Sequence, residues 1–157
     1  MADFDRALQY VLRWEGVYSL DPDDPGGETY CGISRKNWPD WIGWDKIDAL
    51  KAKGILSTKI PLPELAESVW DFYHTQFWAC IDGDHIEDQE VADYVFDTAV
   101  NLGVVKALKM LALCGNDVSV IRDMIDWRLD YYIDKVCEKP AKVKYLNGWR
   151  NRARRKV

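Results

Sequence analysis

The sequence contains few of the residues that bind metals or form covalent enzyme intermediates. Its two histidines, His74 and His85, lie far apart, and its cysteines include no C-x-x-C pair. This argues against a zinc site, because zinc ligands are closely spaced Cys and His residues. G-x-S-x-G, P-loop and G-x-G-x-x-G motifs are absent as well, so neither a serine hydrolase nor a nucleotide-binding enzyme is indicated. We therefore expect no metal, no cofactor and free thiols rather than disulfides. The four cysteines are Cys31, Cys80, Cys114 and Cys137.

Long apolar segments are also absent. The chain has no apolar run of the roughly 18 residues that a membrane-spanning helix needs. Residues 1–6 form neither a basic leader nor an apolar stretch, so no secretory signal peptide is predicted. We expect the protein to be made and left in a cytoplasm.

Charge is distributed unevenly along the chain. The net charge is −5, yet residues 141–157 hold seven basic residues and no acidic one, which leaves 14 basic against 26 acidic residues in 1–140. A basic end on an acidic body favours contact with an anionic cell-wall or membrane surface. A solvated end of a terminal helix explains the pattern equally well, and charge alone indicates no specific nucleic acid partner.

Helical spacing dominates the sequence. A chain of 157 residues, 48% of them apolar, can form one compact domain with a core. Apolar residues recur at helical intervals from Phe4 to Leu12, which predicts a first helix over residues 3–15 that ends near Gly16. Turn-forming residues fill 19–30. Further helices are predicted from residue 63 and over 88–102, 104–113 and 118–136, with 38–44 irregular and 51–63 a linker. The predicted fold is mainly α, with a loop or small β-ribbon inserted after the first helix.

Glu15 is the strongest candidate for a catalytic group. Glycoside hydrolysis needs little more than two carboxyl groups, so the absence of metal-binding, serine-hydrolase and nucleotide-binding motifs does not exclude it. The general acid must keep its proton near neutral pH, which apolar surroundings promote, and Trp14 and Tyr18 lie close to Glu15 in sequence. Several carboxylates follow that could act as the second group. They are Asp21, Asp23, Asp24 and Glu28.

A polar column on the predicted helix 88–102 has two interpretations. Asp93, Asp97 and Asn101 recur at intervals of four residues, so they share one helix face. Such a face is most often solvated. Three short polar side chains with no Lys or Arg among them also suit a sugar-binding cleft.

The segment around Glu15 resembles a known family. Residues 14–34, W-E-G-V-Y-S-L-D-P-D-D-P-G-G-E-T-Y-C-G-I-S, closely resemble the E-G-G-Y-x-x-D-P-x-D-P-G-G-x-T-x-x-G-I/V-T/S signature of glycoside hydrolase family 108, which comprises lysozyme-like N-acetylmuramidases. Residues 73–84 and 96–103 are similar to further motifs of that family, and 145–152 to the end of its C-terminal peptidoglycan-binding-like region. The resemblance implies a lysozyme-like helical fold, with a catalytic region in 1–92 and a helical region in 93–157 packed on it as one compact unit.

The resemblance also implies roles for individual residues. Glu15 matches the motif glutamate and would protonate the leaving glycosidic oxygen. By further analogy to phage-type lysozymes, Asp24 would stabilise charge or position water and Thr29 would hold that water, with Asp21 and Glu28 as rivals for the second role. The residues expected to bind substrate are Tyr18, Asp21, Glu28, Tyr94, Asp97 and Asn101.

The function implied is hydrolysis of the β-1,4 bonds of peptidoglycan glycan strands by a phage or prophage endolysin, which would reach the wall through a holin or lysis. Two departures keep a non-catalytic peptidoglycan-binding or structural protein as the alternative. Val17 replaces the second glycine of E-G-G-Y, and the D-G-x-x-G-x-x-T segment of the accompanying module is missing. A nucleic-acid binder would rest on the basic end alone. The oligomeric state stays open.

Overall fold

The computed structural model describes residues 1–20 and 27–155. In these residues the chain forms seven α-helices and one three-stranded antiparallel sheet, which confirms the mainly α, lysozyme-like fold with a β-ribbon after the first helix. The chain divides into two compact units, one comprising Phe4–Ala79 and the other Met1–Asp3 with the chain from Cys80 onward. The functional boundary after residue 92 that the resemblance implies stays a prediction.

The first unit begins with helix α1, which is followed by the sheet. Helix α1 spans Phe4–Glu15 and buries Phe4, Ala7, Leu8 and Val11, as the spacing predicts. The strands pair in the order β1-β2-β3, so that β2 is central. Their bounds are Tyr18–Leu20 for β1, Glu28–Tyr30 for β2 and Ile33–Ser34 for β3.

Left-handed backbone after α1 and in the turn between β2 and β3 sets the path of this segment. Gly16 follows the last residue of α1 and has a φ of +68°. Glycine suits this position because a residue without Cβ adopts a left-handed conformation at little cost. Cys31 and Gly32 connect β2 to β3 and have φ values of +47° and +80°. Positive φ at both central residues is the requirement of a type I′ hairpin turn. The backbone therefore leaves α1 and reverses into β3 through two tight, defined bends.

The remaining elements of the first unit are helical, and the sequence analysis missed one of them. Helix α2 covers Gly43–Ala52, whereas we predicted an irregular segment up to residue 44, a linker from residue 51 and no element between them. Its pattern is weak because it buries only Gly43, Trp44 and Ile47. Helix α3 covers Ala66–Tyr73, follows a 3₁₀ turn that starts at Pro63, and continues into a π-helical turn over His74–Trp78.

The second unit is built from four helices, and the sequence analysis placed the first three within about three residues of their ends. Asp88 caps the first of them by accepting hydrogen bonds from the backbone N–H groups of Glu90 and Val91. The long third helix starts later than predicted, because Val118–Val120 form a 3₁₀ turn. The helices are α4 over Gln89–Leu102, α5 over Val104–Cys114, α6 over Ile121–Glu138 and α7 over Leu146–Ala153.

A buried ionic network ties α4 to α6 and α7. Asp97 is 1% exposed and accepts hydrogen bonds from the Nη1 of Arg128 at 2.6 Å and the Nε of Arg152 at 2.9 Å. Arg128 is fully buried and also donates to the hydroxyl of Tyr132, which in turn donates to the amide oxygen of Asn101 at 2.6 Å. The polar column on α4 is therefore a network within the core.

Two further findings concern the described residues as a whole. None of their helices is long and apolar enough to cross a membrane. None of the four cysteines forms a disulfide; Cys31 is buried, and Cys80 and Cys137 are exposed.

Candidate active site

Glu15 lies at the junction of helix α1 and the sheet. It is the last residue of α1, is half-buried, and lies against the turn between β2 and β3. A Cβ added to Gly32 would lie 2.8 Å from the Oε2 of Glu15 and 2.6 Å from the hydroxyl of Tyr73. The carboxyl group of Glu15 and the phenol of Tyr73 therefore occupy the space that any side chain at position 32 would need.

The turn that faces Glu15 is held from two directions. Tyr73 comes from the end of α3, is 1% exposed, and donates a hydrogen bond from its hydroxyl to the carbonyl of Cys31 at 2.7 Å. The N–H of Cys31 donates to the carbonyl of Val17 at 2.6 Å. These bonds fix the backbone beside the Glu15 carboxyl, which is the preorganisation that a catalytic group requires.

The backbone at Val17 is not strained. Gly16 carries the left-handed conformation after α1, and Val17 is not among the residues with positive φ. Val17 instead lines an apolar cavity of about 330 Å³ together with Leu8, Leu12 and Leu65. A branched side chain therefore fits at this position without backbone strain.

We predict that Gly32→Ala lowers the catalytic rate on the order of 10²-fold under conditions where the variant is still folded. The new Cβ would meet Glu15 and Tyr73 at 2.6–2.8 Å and displace the carboxyl, and a misplacement of about 1 Å can cost on the order of 10²-fold in rate. Gly54→Ala is the matched control, because Gly54 has a φ of +68° and nothing within 4 Å of its Cβ position. Both variants should lose roughly 1–2 kcal/mol of stability from the left-handed backbone, and Gly32→Ala should lose about 1–3 kcal/mol more from the collision, so rates are compared at a temperature where both variants are folded. Equal rates of peptidoglycan cleavage in the two variants would contradict the prediction.

Glu28 is an ionic anchor within the first unit. Its Oε1 accepts hydrogen bonds from the hydroxyl of Tyr18 at 2.8 Å and the Nζ of Lys51 at 2.7 Å, and its Oε2 accepts one from Arg35 at 2.7 Å. Burial raises the pKa of the Glu28 carboxyl, but the hydrogen bonds from Lys51, Arg35 and Tyr18 outweigh burial and hold the pKa below its ordinary value. Arg35 also binds Asp48 on α2. Glu28 thus links β2 to β1, α2 and the residue after β3, and both of its oxygens are occupied.

Thr29 and Glu28 lie on opposite faces of β2. Successive side chains of a strand alternate between the faces of a sheet, so Tyr18 and Glu28 share one face, as their hydrogen bond requires. Thr29 is half-buried on the other face, where its partners in register are Ser19 and Ser34. The structure therefore brings Tyr18 and Glu28 together and separates Thr29 from both. Asp21 and Asp24 lie outside the described residues.

Three predicted substrate-binding residues lie in the second unit, and their surroundings do not suit that role. Tyr94 and Asp97 are 0% and 1% exposed, so neither offers a surface to a glycan. Tyr94 donates its hydroxyl to the carbonyl of Ala153, and Asp97 is bound by two arginines. Asn101 is half-buried, and its amide oxygen accepts from Tyr132. The sequence spacing correctly predicted that Asp97 and Asn101 share one face of α4, but this face points into the core of the second unit rather than toward a cleft.

Sequence reasoning missed Gly32, Tyr73, Arg35 and Lys51 as parts of the site. Gly32 and Tyr73 both belong to motifs that resemble the family, which was the available signal. Arg35 and Lys51 lie 7 and 23 residues from Glu28, and no spacing rule links them to it. Among the described residues no group of three or more His, Cys, Asp or Glu side chains is arranged to hold a metal ion.

Comparison with known proteins agrees with the fold. The family model described as Glycosyl hydrolase 108 matches residues 8–103, which is more than half of the chain. The solved "Structure of Brucella abortus SagA" is similar over 96% of this chain and 92% of that one, with a TM-score of 0.60 and 24% sequence identity. At that identity the likeness concerns the fold. No curated protein matches.

The fold and the family match place the chain in a family of glycoside hydrolases with a lysozyme-like fold. The chain belongs to glycosyl hydrolase family 108. Membership supports a peptidoglycan hydrolase at the level of the family, with peptidoglycan as the polymer that it binds.

Proposed function

We propose that the protein is an N-acetylmuramidase that cleaves the β-1,4 bonds of peptidoglycan with Glu15 as the general acid. The observation that carries the proposal is the position of the Glu15 carboxyl. It lies half-buried at the end of α1, against the Cα of Gly32 and beside the hydroxyl of Tyr73. A general acid must be held in one orientation toward the glycosidic oxygen, and this packing supplies that constraint.

In the proposed reaction Glu15 gives its proton to the leaving glycosidic oxygen as the bond to C1 breaks. Asp24 either stabilises the developing positive charge of the sugar or positions the attacking water, which Thr29 holds. As water adds to C1, its proton passes to Asp24 in direct attack, or back to Glu15 if a covalent intermediate is hydrolysed. Glu28 is the weaker candidate for the second carboxylate, because Tyr18, Lys51 and Arg35 already occupy its oxygens. A separation of about 6.5–9.5 Å between the two catalytic carboxyls corresponds to direct attack by water and inversion, and about 5–5.5 Å to a covalent intermediate and retention.

We also propose that the enzyme acts as a phage or prophage endolysin, made in the bacterial cytoplasm and released to the wall through a holin or lysis. The basic residues of 141–157 support contact with an anionic wall or membrane surface. Arg152 and Arg155 are exceptions, because they bind Asp97 and Asp93 within the second unit.

The experiment that tests the proposed activity is digestion of purified, insoluble peptidoglycan. The muramidase should clear the suspension and release reducing ends in proportion to each other. Binding to the insoluble polymer without new reducing ends would overturn the proposal and support the non-catalytic alternative.

A further inference from the structure

A second groove lies in the first unit, away from Glu15. It has a volume of about 600 Å³ and is lined by residues 37–42 and by one side of α3 with the turn that follows it. Glu15, Gly32 and Tyr73 are not among its lining residues. Helix geometry explains the separation, because Asp71 in the groove and Tyr73 beside Glu15 are roughly 200° apart around α3.

The aromatic wall of this groove is fixed by contacts within the unit. The Trp41 ring stacks on Tyr30 at 5.9 Å between centroids and meets Trp44 edge to face, and its Nε1 donates to the carbonyl of Ser68 at 3.2 Å. Trp38 meets the ring of Phe72 edge to face at 5.0 Å, and its carbonyl accepts from the Nε1 of Trp44 at 2.7 Å. A wall with so many contacts needs no rearrangement to receive a ligand, which lowers the entropic cost of binding.

The charge of the groove has one sign. Asp40, Glu67 and Asp71 are exposed, and no cationic side chain among the described residues pairs with them. Glu64 has a partial partner in Lys46 at 3.6 Å. No Lys, Arg or His is among the lining residues. A cation bound here would be attracted both by the quadrupole of the aromatic rings and by the negative charge of the carboxylates. The same carboxylates would repel the carboxylates of peptidoglycan.

We propose that this groove binds the protonated amine of a diamino-acid residue in the peptide stems of peptidoglycan. The three N–H donors of an ammonium group match carboxylates grouped around an aromatic wall. The amide and hydroxyl groups of Asn37, Ser68 and Gln76 also line the groove and suit the peptide backbone that carries the amine. The choice of polymer rests on the proposed function, whereas the preference for a cation rests on the groove itself. The groove would hold a stem while the glycan strand lies at Glu15.

The test is a binding titration with soluble disaccharide–peptide fragments whose stem carries a free side-chain amine, set beside the same fragments after acetylation of that amine. Glu15→Gln protein is used throughout, so that no fragment is cleaved. We expect acetylation to weaken binding at least tenfold, and Asp40→Asn/Glu67→Gln/Asp71→Asn to weaken binding of the free-amine fragment by a similar factor. The matched control is Asp45→Asn/Asp126→Asn/Asp130→Asn, which removes the same charge from exposed positions outside the groove and should leave affinity within about twofold.

Equal affinity for the free and acetylated fragments would overturn the inference, and this comparison needs no groove variant to fold. If the groove and control variants weaken binding equally, the loss of net negative charge explains the effect, and the inference is also overturned. Binding of n-butylamine as tight as that of the fragment would indicate a site for free cations rather than for stems. None of these results bears on hydrolysis, because the reducing-end assay tests the proposed muramidase separately.

Discussion

Glu15→Gln is expected to abolish peptidoglycan cleavage while the protein stays folded. Gln has nearly the same shape as Glu, so it can occupy the space beside Gly32 and Tyr73, but it cannot donate the proton that the leaving oxygen needs. General acid catalysis contributes about 10²- to 10⁴-fold, and we expect a loss in this range. The measurement is the initial rate of reducing-end release from purified peptidoglycan, with the midpoint of thermal unfolding recorded for the same preparation.

The control for this variant is Glu87→Gln, which makes the same chemical change at an exposed position in the second unit. It should cleave at the wild-type rate. A Glu15→Gln protein that unfolds at the wild-type temperature and cleaves within threefold of the wild-type rate would remove Glu15 from the catalytic role. A variant that binds insoluble peptidoglycan as wild type does, but releases no sugar, is the result we expect.

Asp97→Asn is expected to cause the largest loss of stability of any single charge removal in the second unit. The substitution leaves the buried guanidinium of Arg128 without its carboxylate, while the Nε of Arg128 has no hydrogen-bond partner in the structure. Burial lowers the pKa of the Arg128 guanidinium, but the charge of Asp97 outweighs burial and holds that pKa above its ordinary value. Arginine stays protonated in proteins even without a nearby carboxylate, so the variant would keep this cation in the core without its counter-charge. Breaking a buried pair in this way costs about 3–5 kcal/mol.

The measurement is urea unfolding followed by circular dichroism, with Asp130→Asn as the matched control. Asp130 lies exposed on α6, and its loss should change the free energy of unfolding by less than about 0.5 kcal/mol. If Asp97→Asn also costs less than 1 kcal/mol, the network does not hold α4, α6 and α7 together as the structure indicates.

Local patterns in the sequence were enough to locate Glu15. The apolar spacing from Phe4 to Val11 and the glycine after Glu15 define the end of α1, and the structure places both as predicted. Helix α2 was missed for the converse reason. Only Gly43, Trp44 and Ile47 of its ten residues are buried, so no apolar stripe marks it. Tryptophan-rich segments with turn residues can be read as irregular when their helical face is this narrow.

The partners of buried charges could not be predicted in the same way. Asp97 binds Arg128 and Arg152, which follow it by 31 and 55 residues, and the spacing of Asp93, Asp97 and Asn101 alone looks the same for a solvated face, a cleft or a core network. Glu28 likewise seemed to belong to an acidic loop, but it is neutralised by Arg35 and Lys51. Tertiary contacts decide whether an acidic residue is free to act on a substrate or is bound by the fold.

Two acidic residues of the first unit, Glu15 and Glu28, lie in different surroundings. Glu15 is held against a glycine turn by α1 and Tyr73, whereas Glu28 stabilises the sheet through its ion pairs. Glycosidases generally use two acidic residues in different surroundings, one as the general acid and the other as an ionised base or nucleophile. In this chain this division of roles favours a second catalytic carboxylate from residues 21–24 over Glu28.

The identity of the sugar at the new reducing ends tests the central claim most directly. Products of complete digestion are reduced with borohydride and identified by mass spectrometry. A muramidase predicts N-acetylmuramitol at the reduced end of every product, and at least about 100-fold less of it with Glu15→Gln over the same digestion time. N-acetylglucosaminitol at those ends, or muramitol released equally by the Glu15→Gln variant, would contradict the assignment of the cleaved bond or of its acid.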